Sequence, residues 1–589
     1  VWIPKEYKGT YPRDGGFHLE FSDNSSNAAL GTDSSGNSNT WTVNSLSVAS
    51  GSGNDSLIDT PTNYTAASGN NGGNYCTMNP LRNSLALSNG NLDVVGTSGW
   101  KGATGTIGMS SGKYYWEYGD IVSNEHIVGI VKANYINPAS TVGTNDAYGY
   151  GAETGGKYDP VGGSNQSYGN SYGTGDTIGI AFDADNGNLY FYKNGTAQNS
   201  GTAAFTGLTD GPYLPSVVQN GSSRSAKMNF GQRPFAHTPP TGYVSLCTQN
   251  LDESAYASIP DGSTAFIAKR FTANASNQTI TTNFSPDLVW VKSRANAYGN
   301  ELYDIVRGTN RRLTVNTAAN EQNAAGQLTA FNTDGFTLGS ASSSNYTNNT
   351  GSIAWAWDAG SSTVSNPDGD ITTSLRVNQS TGVSIAKYSF DNNNGNQTLG
   401  HGLGVIPDLV IRKDTDVGDP WSVYSKAIGF TQRGYLNTTA AWSGTTTFGS
   451  ASATSAVNRA NNMNSGTYVD WSFAAIAGFS AFGTYEGNGN ASGPFVFTGF
   501  RPRWIMIKNI DNVGTGYDWF IFDTARDTYN VAENILLADE ANAETDSGSL
   551  DILSNGFKIR TTTNGLNLNS HTHLYLAFAE NPFKTARAR

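Results

Sequence analysis

Three times after residue 260 the chain writes the same strand signature. Phe284-Ser285-Pro286-Asp287-Leu288-Val289-Trp290-Val291-Lys292 is answered by Val405-Ile406-Pro407-Asp408-Leu409-Val410-Ile411-Arg412-Lys413, and again by Phe500-Arg501-Pro502-Arg503-Trp504-Ile505-Met506-Ile507-Lys508. Each copy then runs to a second apolar stretch: Ile353-Ala354-Trp355-Ala356-Trp357, Val469-Asp470-Trp471-Ser472-Phe473 and Leu574-Tyr575-Leu576-Ala577-Phe578. From motif proline to last aromatic the spacings are 71, 66 and 76 residues. Near-equal spacing of ordered pairs marks three related domains rather than chance matches of short β patterns. Proline suits the head of a strand, where its missing N–H breaks no ladder bond.

Each copy opens with a strand that ends in an Asn-rich turn, so each is expected to be a small antiparallel sandwich, over 262–360, 381–475 and 478–589. The first and third share more. Phe331-Asn332-Thr333-Asp334-Gly335-Phe336 is echoed by Leu553-Ser554-Asn555-Gly556-Phe557, and Tyr303-Asp304 with Arg307 by Phe522-Asp523 with Arg526. The second copy lacks both and is the divergent one.

The rest of the chain reads in the same way, as short alternations of β-branched and aromatic residues closed by Gly and Asn turns. One stretch, VAENILLADEA at 531–541, favours a short helix by its Ala, Leu and Glu content. The fold class expected is all-β: tandem antiparallel β-sandwich domains. A unit over 74–250 has strands at 113–118, 127–132, 177–182 and 189–193, the last two joined by a hairpin with Asn186-Gly187 at its tip. A Ser/Gly/Asn-rich linker at 47–73 separates it from residues 1–46, where Phe17, Leu19 and Phe21 alternate as one buried strand face.

With 69 glycines but no G-x-y period, glycine here marks turns, not collagen. Aromatics at 11% argue against disorder. A net charge of −12, with no basic run longer than Arg311-Arg312, argues against nucleic acid and anionic membranes as partners. No apolar run reaches the roughly 18 residues of a membrane span, and the N-terminus has no basic-then-apolar signal pattern. Cys76 and Cys247 bracket the 74–250 unit, as two buried thiols or a disulfide across its ends.

Lys113-Tyr114-Tyr115-Trp116-Glu117, Gly175-Asp176-Thr177-Ile178-Gly179-Ile180-Ala181-Phe182-Asp183, Leu189-Tyr190-Phe191-Tyr192-Lys193-Asn194-Gly195 and Tyr213-Leu214-Pro215-Ser216-Val217 give the 74–250 unit a resemblance to SPRY domains, concanavalin-like sandwiches used for binding. The ordered motifs from Gly16-Phe17-His18-Leu19-Glu20-Phe21 through Asn229-Phe230-Gly231-Gln232-Arg233-Pro234-Phe235 to Ala577-Phe578-Ala579-Glu580-Asn581-Pro582-Phe583-Lys584 resemble tail-fibre-like virion proteins of marine tailed bacteriophages. That resemblance implies a SPRY (concanavalin-like) unit followed by tandem β-sandwich repeats. It also implies that Val1 is a crop, with residues 1–46 the end of a truncated laminin-G-like sandwich. The implied place is the virion surface, outside the cell.

Catalytic signatures are weak. Gly108-Met109-Ser110-Ser111-Gly112 satisfies G-x-S-x-G, but a nucleophile elbow joins a strand to a helix in an α/β sheet, and this one runs into a strand. His571-Thr572-His573 could begin a metal site, yet spacing identifies no further ligand. Asp33 with its Ser/Asn neighbours and Asp183-Ala184-Asp185-Asn186-Gly187 loosely resemble calcium loops without the distal Glu, and read better as Asx turns or a hairpin. No catalytic residue, metal or cofactor is expected.

The expected binding surface is the 147–175 segment, where Tyr148, Tyr150, Tyr158, Tyr168 and Tyr172 alternate with Gly, Asn and Ser, the mixture antibody loops use. The same tyrosines could instead pack under the sandwich. The reading that follows is a virion fibre or adhesin that attaches to a host cell-surface glycan or outer-membrane protein, next to other virion proteins. As a homotrimer it would combine weak sites through effective concentration. Its alternatives are a purely structural decoration or connector and a glycan depolymerase.

Overall fold

A computed structural model of the chain describes residues 9–12, 15–21, 23–49, 55, 74–133, 147–160, 163–251, 259, 261–323, 325–445, 447–458 and 463–579. Most of the expected linker at 47–73 and the run beyond Ala579 lie outside these. Phe17 and Phe21, expected on a buried strand face, are exposed instead, because among the described residues Leu19 makes only an isolated bridge to Asp33 and no ladder covers them. Almost every described element is a strand, and the one α-helix is the single turn Asn564–Asn567. The chain divides into two compact units, 1–252 and 253–587.

In the first unit, two sheets of seven and eight strands, antiparallel except for the parallel pairing of Val244–Ser245 with Lys113–Val122, pack face to face. Lys113–Val122 and Ile178–Asp183 lie side by side in one of them, and Tyr213–Asn220 and His126–Lys132 in the other. Rings meet between the sheets: Tyr213 against Phe182 at 5.6 Å and Tyr150 against Phe191 at 5.2 Å. The chain then returns over the outer face of the eight-stranded sheet. The backbone N–H groups of Ala236 and His237 donate to the buried Glu117 carboxylate, and Phe235 sets its edge against Tyr115. Burial raises the Glu117 pKa, and these donors oppose that rise. Asn229 shapes the turn by accepting from Gly231 and Arg233 N–H, so the Asn229–Phe235 motif has a structural role.

Cys76 and Cys247 are both buried, and no disulfide joins them. Tyr75 pairs with Cys247, so Cys76 stands opposite Leu246, and alternation turns the two thiols to opposite faces of the ribbon.

In the second unit every repeat has the same principal sheet. An opening strand (Phe266–Thr272, Val383–Phe390, Ser480–Glu486) pairs with a closing strand (Gly351–Trp357, Gly466–Phe473, Thr572–Ala579). The closing strand pairs with the proline-motif strand (Leu288–Ser293, Leu409–Asp414, Pro502–Asn509), which pairs with a fourth (Glu301–Asp304, Ser422–Ser425, Phe520–Asp523). A small three-stranded partner layer recurs, and in the third repeat it is continuous with the principal sheet.

Alternation along the motif strand explains its unbroken apolar run. Val289 and Val291 join the first repeat's own sandwich core, as Val410 does in the second. Leu288 and Trp290, with Leu409, Ile411, Trp504 and Met506, point the other way into one core shared by all three repeats. The principal sheets are thus buried on both faces, as near-continuous apolar strands require.

Polar contacts close the ring in a cyclic order. Asn300 donates to the carbonyls of Leu537, Ala538 and Glu540, Trp421 Nε1 donates to Thr317 O, and Trp519 Nε1 donates to Tyr435 O. The Asp/Arg pairs shared by the first and third repeats sit in the same ring. Asp304 accepts both the backbone N–H and Nε of Arg307, and Asp523 does the same for Arg526. Arg307 lies over Trp471 of the second repeat, and Trp355 donates to Asp523 of the third. The shared glycines have a local cause. A Cβ would come within 2.2 Å of Ile280 O at Gly335 and within 2.0 Å of Val496 O at Gly556.

The expected helix at 531–541 is instead the strand Ala532–Leu537, flanked by Phe520–Asp523 and Thr545–Leu553. Its Ile535 and Leu536 are buried. Pairing on both edges outweighs a helix propensity worth only tenths of a kcal/mol per residue.

One turn beyond the shared apolar layers, Lys292, Lys413 and Lys508 occupy equivalent places and are fully buried. They donate to backbone carbonyls, among them Glu540 O, Val417 O and Thr439 O. Burial pushes each ammonium down to about 8.

Two predictions follow from this packing. Trp471→Ala should cost about 3–5 kcal/mol and lower the unfolding of all three repeats together. Separate transitions for the repeats in calorimetry would contradict the shared core. Because the lysines' folded-state values lie below the ordinary one, the unfolded chain binds more protons between about pH 8 and pH 10. The stability of this unit should therefore rise with pH across that window, and replacing the three lysines by Met should flatten the rise, read by tryptophan fluorescence in urea.

Candidate functional site

About half of the tyrosine-rich segment is sheet. Ala147–Gly151, Gly156–Asp159 and Gly163–Ser167 form a meander at the edge of the seven-stranded sheet. Tyr150, Tyr168 and Tyr172 are buried and pack on one another, with centroids 5.6 Å apart for Tyr150–Tyr168 and 5.0 Å for Tyr150–Tyr172. The Tyr172 hydroxyl donates to Tyr150 O. These three offer no face to a ligand, because the alternation that looked like an adaptable loop places the rings under the sandwich. Tyr148, against Phe205, and Tyr158 are half-buried.

The other sequence motifs resolve into local structure. Asp33 accepts from the N–H groups of His18, Ser35 and Asn39, which hold its carboxyl well below the usual range. Asp183 accepts from Asn186 N–H and pairs with Lys113 at 3.0 Å. Met109 of the G-x-S-x-G run bridges to Tyr213. His573 is buried and stacked on Tyr485, and burial pushes it down to about 4. Among the described residues no three His, Cys, Asp or Glu side chains come together as a metal requires.

A cleft of about 270 Å³ lies instead in the divergent second repeat. It is built on the face of the motif strand that looks away from the shared core. There Arg412 sits where the first repeat has Val291 and the third Ile507, and its cross-strand partner Asp470 sits where they have Ala354 and Tyr575. Arg412 Nε and Nη2 reach the two Asp470 carboxylate oxygens at 2.8 and 2.6 Å. Its guanidinium lies over Phe448, Tyr424 and Tyr388, at 5.2, 5.7 and 5.9 Å from the ring centroids. Burial opposes the charge, but Asp470 more than offsets it and holds the guanidinium above its ordinary value.

Two residues further along the same face comes Asp414, only 2% exposed. Its Oδ1 accepts from the N–H groups of Asp416 and Val417, while Oδ2 has no hydrogen-bond partner among the described residues. The Tyr468 hydroxyl donates to Asn464 O and also lies against the Asp414 carboxylate, whose charge and hydrogen bond add to burial in raising the hydroxyl's pKa. Opposite, Arg433 lies 4.7 Å over Tyr435, with Nη1 on Thr447 and Nε unpaired among the described residues. Asp419 and Asn464, bonded to each other, complete the rim.

The sequence carried a signal for this cleft. Aligning the three copies against one another puts an Arg inside an apolar strand of the second and an Asp at the matching place in its closing strand.

Fold and site define an all-β protein in which a SPRY sandwich precedes a ring of three β-sandwich repeats. Residues 113–233 match the SPRY family and form a SPRY domain. Residues 261–582, more than half of the chain, match the family described as a domain of unknown function (DUF7483), and the chain belongs to it.

Curated relatives include the ATP-dependent RNA helicase DDX1 of Xenopus laevis, 28% identical over 155 residues, 25% of this chain and 19% of the helicase. The probable ATP-dependent RNA helicase ddx1 of Dictyostelium discoideum is 32% identical over 148 residues, 24% and 17% of the two chains. The chain thus spans less than a fifth of either relative. Among solved structures, the SPRY domain of human HERC1 is 22% identical, with 26% of this chain and 96% of that one covered and a TM-score of 0.23. Stonustoxin is 22% identical, with 26% and 27% covered and a TM-score of 0.22.

The buried pair makes a direct prediction. Asp470→Ala, which strands Arg412, should cost about 3–5 kcal/mol in urea unfolding. The double variant Arg412→Val/Asp470→Ala, carrying the first repeat's pair, should recover most of that loss. A double variant no more stable than the single would show that the pair is not an apolar site converted to charge.

Proposed function

We propose that this chain is a non-catalytic attachment protein of a bacteriophage virion fibre, acting at the host surface by reversible binding. The observation that carries the reading is the cleft of the second repeat. There a scaffold buried on both faces replaces an apolar pair by Arg412 and Asp470 and leaves a buried carboxylate oxygen of Asp414 unpaired among the described residues. An unpaired buried polar atom is costly, and one that lines a cleft is explained by a ligand that would pair with it.

The wider assignment draws on the ordered motifs that resemble tail-fibre-like proteins and on the SPRY domain, a fold with loops free to vary at its ends. A homotrimer would present three copies of each site, so modest single-site affinity would suffice for firm attachment. The receptor is then a host glycan or an outer-membrane protein.

The purified chain, pre-incubated with host cells, should reduce adsorption of the phage that carries it in a dose-dependent way. Unchanged adsorption at saturating protein would overturn the proposal.

A further inference from the structure

Resting on that reading, we infer that the cleft of the second repeat is a saccharide site, in which Asp414 Oδ2, left without a hydrogen-bond partner among the described residues, accepts a hydroxyl of a neutral sugar ring. The argument starts from the sibling repeats. Asn509 of the third repeat stands at the register of Asp414, and its Oδ1 makes the same turn by accepting from the N–H groups of Asp511 and Asn512. Its other side-chain atom, Nδ2, faces His573 and Asn564 O. In the first repeat the place belongs to Ser293, whose Oγ accepts from Asn296 N–H. The turn therefore needs no carboxylate. Asp414 supplies a second oxygen that the turn does not use, buried to 2% exposure and lining the cleft.

The walls decide what the oxygen takes. Arg412 and Arg433 line the same cleft and disfavour an ammonium ligand, since like charges disfavour one another. Asp414 and Asp419 disfavour a phosphate or another carboxylate for the same reason. The acids of this turn do not gather into a metal group among the described residues. What remains is a neutral molecule with hydroxyls that both donate and accept, to meet Asp414 Oδ2 and the unpaired Arg433 Nε. The half-buried Tyr435 adds an amphipathic wall. At about 270 Å³ the cleft lies just below the usual range of small-molecule pockets, which begins near ~300 Å³, and so suits one sugar ring rather than a long chain.

The test uses the full chain and saturation-transfer NMR with the methyl glycosides of glucose, galactose, mannose and N-acetylglucosamine, beside inorganic phosphate and ethylamine. At least one glycoside should bind. Asp414→Asn, the third repeat's residue, should weaken that binding about tenfold or more with the thermal midpoint unchanged. Tyr435→Thr, the first repeat's residue, is a second variant should Asp414→Asn destabilise the fold, and it should weaken binding too. Binding of phosphate or ethylamine in place of the glycosides, binding equal in the variants, or no binding by any glycoside would each overturn the inference. If adsorption is blocked by the chain and equally by Asp414→Asn, attachment stands and this site falls. If glycosides bind at Asp414 while adsorption is unaffected, the site stands and the virion reading falls.

Discussion

The second unit depends on one constraint: three sheets each have two apolar faces, and a small partner layer can cover only one. Leu288, Trp290, Trp355 and Trp357 would face water in a solitary first repeat. Meeting Leu409, Ile411, Trp471, Trp504, Met506 and Phe578 along a common axis removes that surface from solvent in all three repeats at once. Three is the number that closes. Each repeat donates to its predecessor through Asn300, Trp421 or Trp519, and the first reaches back to the third. The side chains at these equivalent positions differ, while the direction of the contact is kept. The geometry of the ring is therefore conserved more strictly than the group that serves it.

That closure divides the residues by freedom to change. The axial face is held by neighbours in two other repeats, so a change there is felt across the ring. The opposite face and its turns answer only to one repeat's own partner layer. The second repeat departs from its siblings on that free face, at Arg412, Asp414 and Asp470. On the axial side it keeps Leu409, Ile411 and Lys413 in register with the others. A buried ion pair rarely adds stability over an apolar pair. Its presence where the siblings carry Val291 with Ala354 and Ile507 with Tyr575 points to a use other than holding the fold.

Much of this could be read from residues in order. The proline motifs, the Asn-rich turns, the SPRY strands and the divergence of the second repeat all lie in local pattern, which strand periodicity and turn chemistry write directly. The parts that could not be read depend on partners far along the chain. At 531–541 the local preference is helical, and pairing with Phe520–Asp523 and Thr545–Leu553 overrides it. Asn300 reaches Ala538 across 238 positions, a contact that no spacing announces. Tyr150, Tyr168 and Tyr172 failed as a surface for a related reason. Alternation with Gly and Asn describes a binding loop and an edge strand equally well, and only the position of Phe191 beneath them decides which it is. Arg412 was legible but disguised, since one charged residue in an apolar strand resembles a strand end until the three copies are laid side by side.

The same architecture explains how the cleft can keep a polar atom unpaired. An Asp in a mobile turn would rotate its carboxylate into water. Asp414 ends a strand paired with Tyr468 and its neighbours on the closing strand, and its Oδ1 is fixed by two backbone N–H groups. On the next residue inward Lys413 is buried and donates to Asp414 O and Val417 O, which ties the turn to the ring. Oδ2 is thus held in place by a structure whose stability comes from elsewhere, chiefly the axial core. Rigid support with the cost borne at a distance is what a preorganised site needs. The second repeat has that support because its sheet belongs to a closed ring of three.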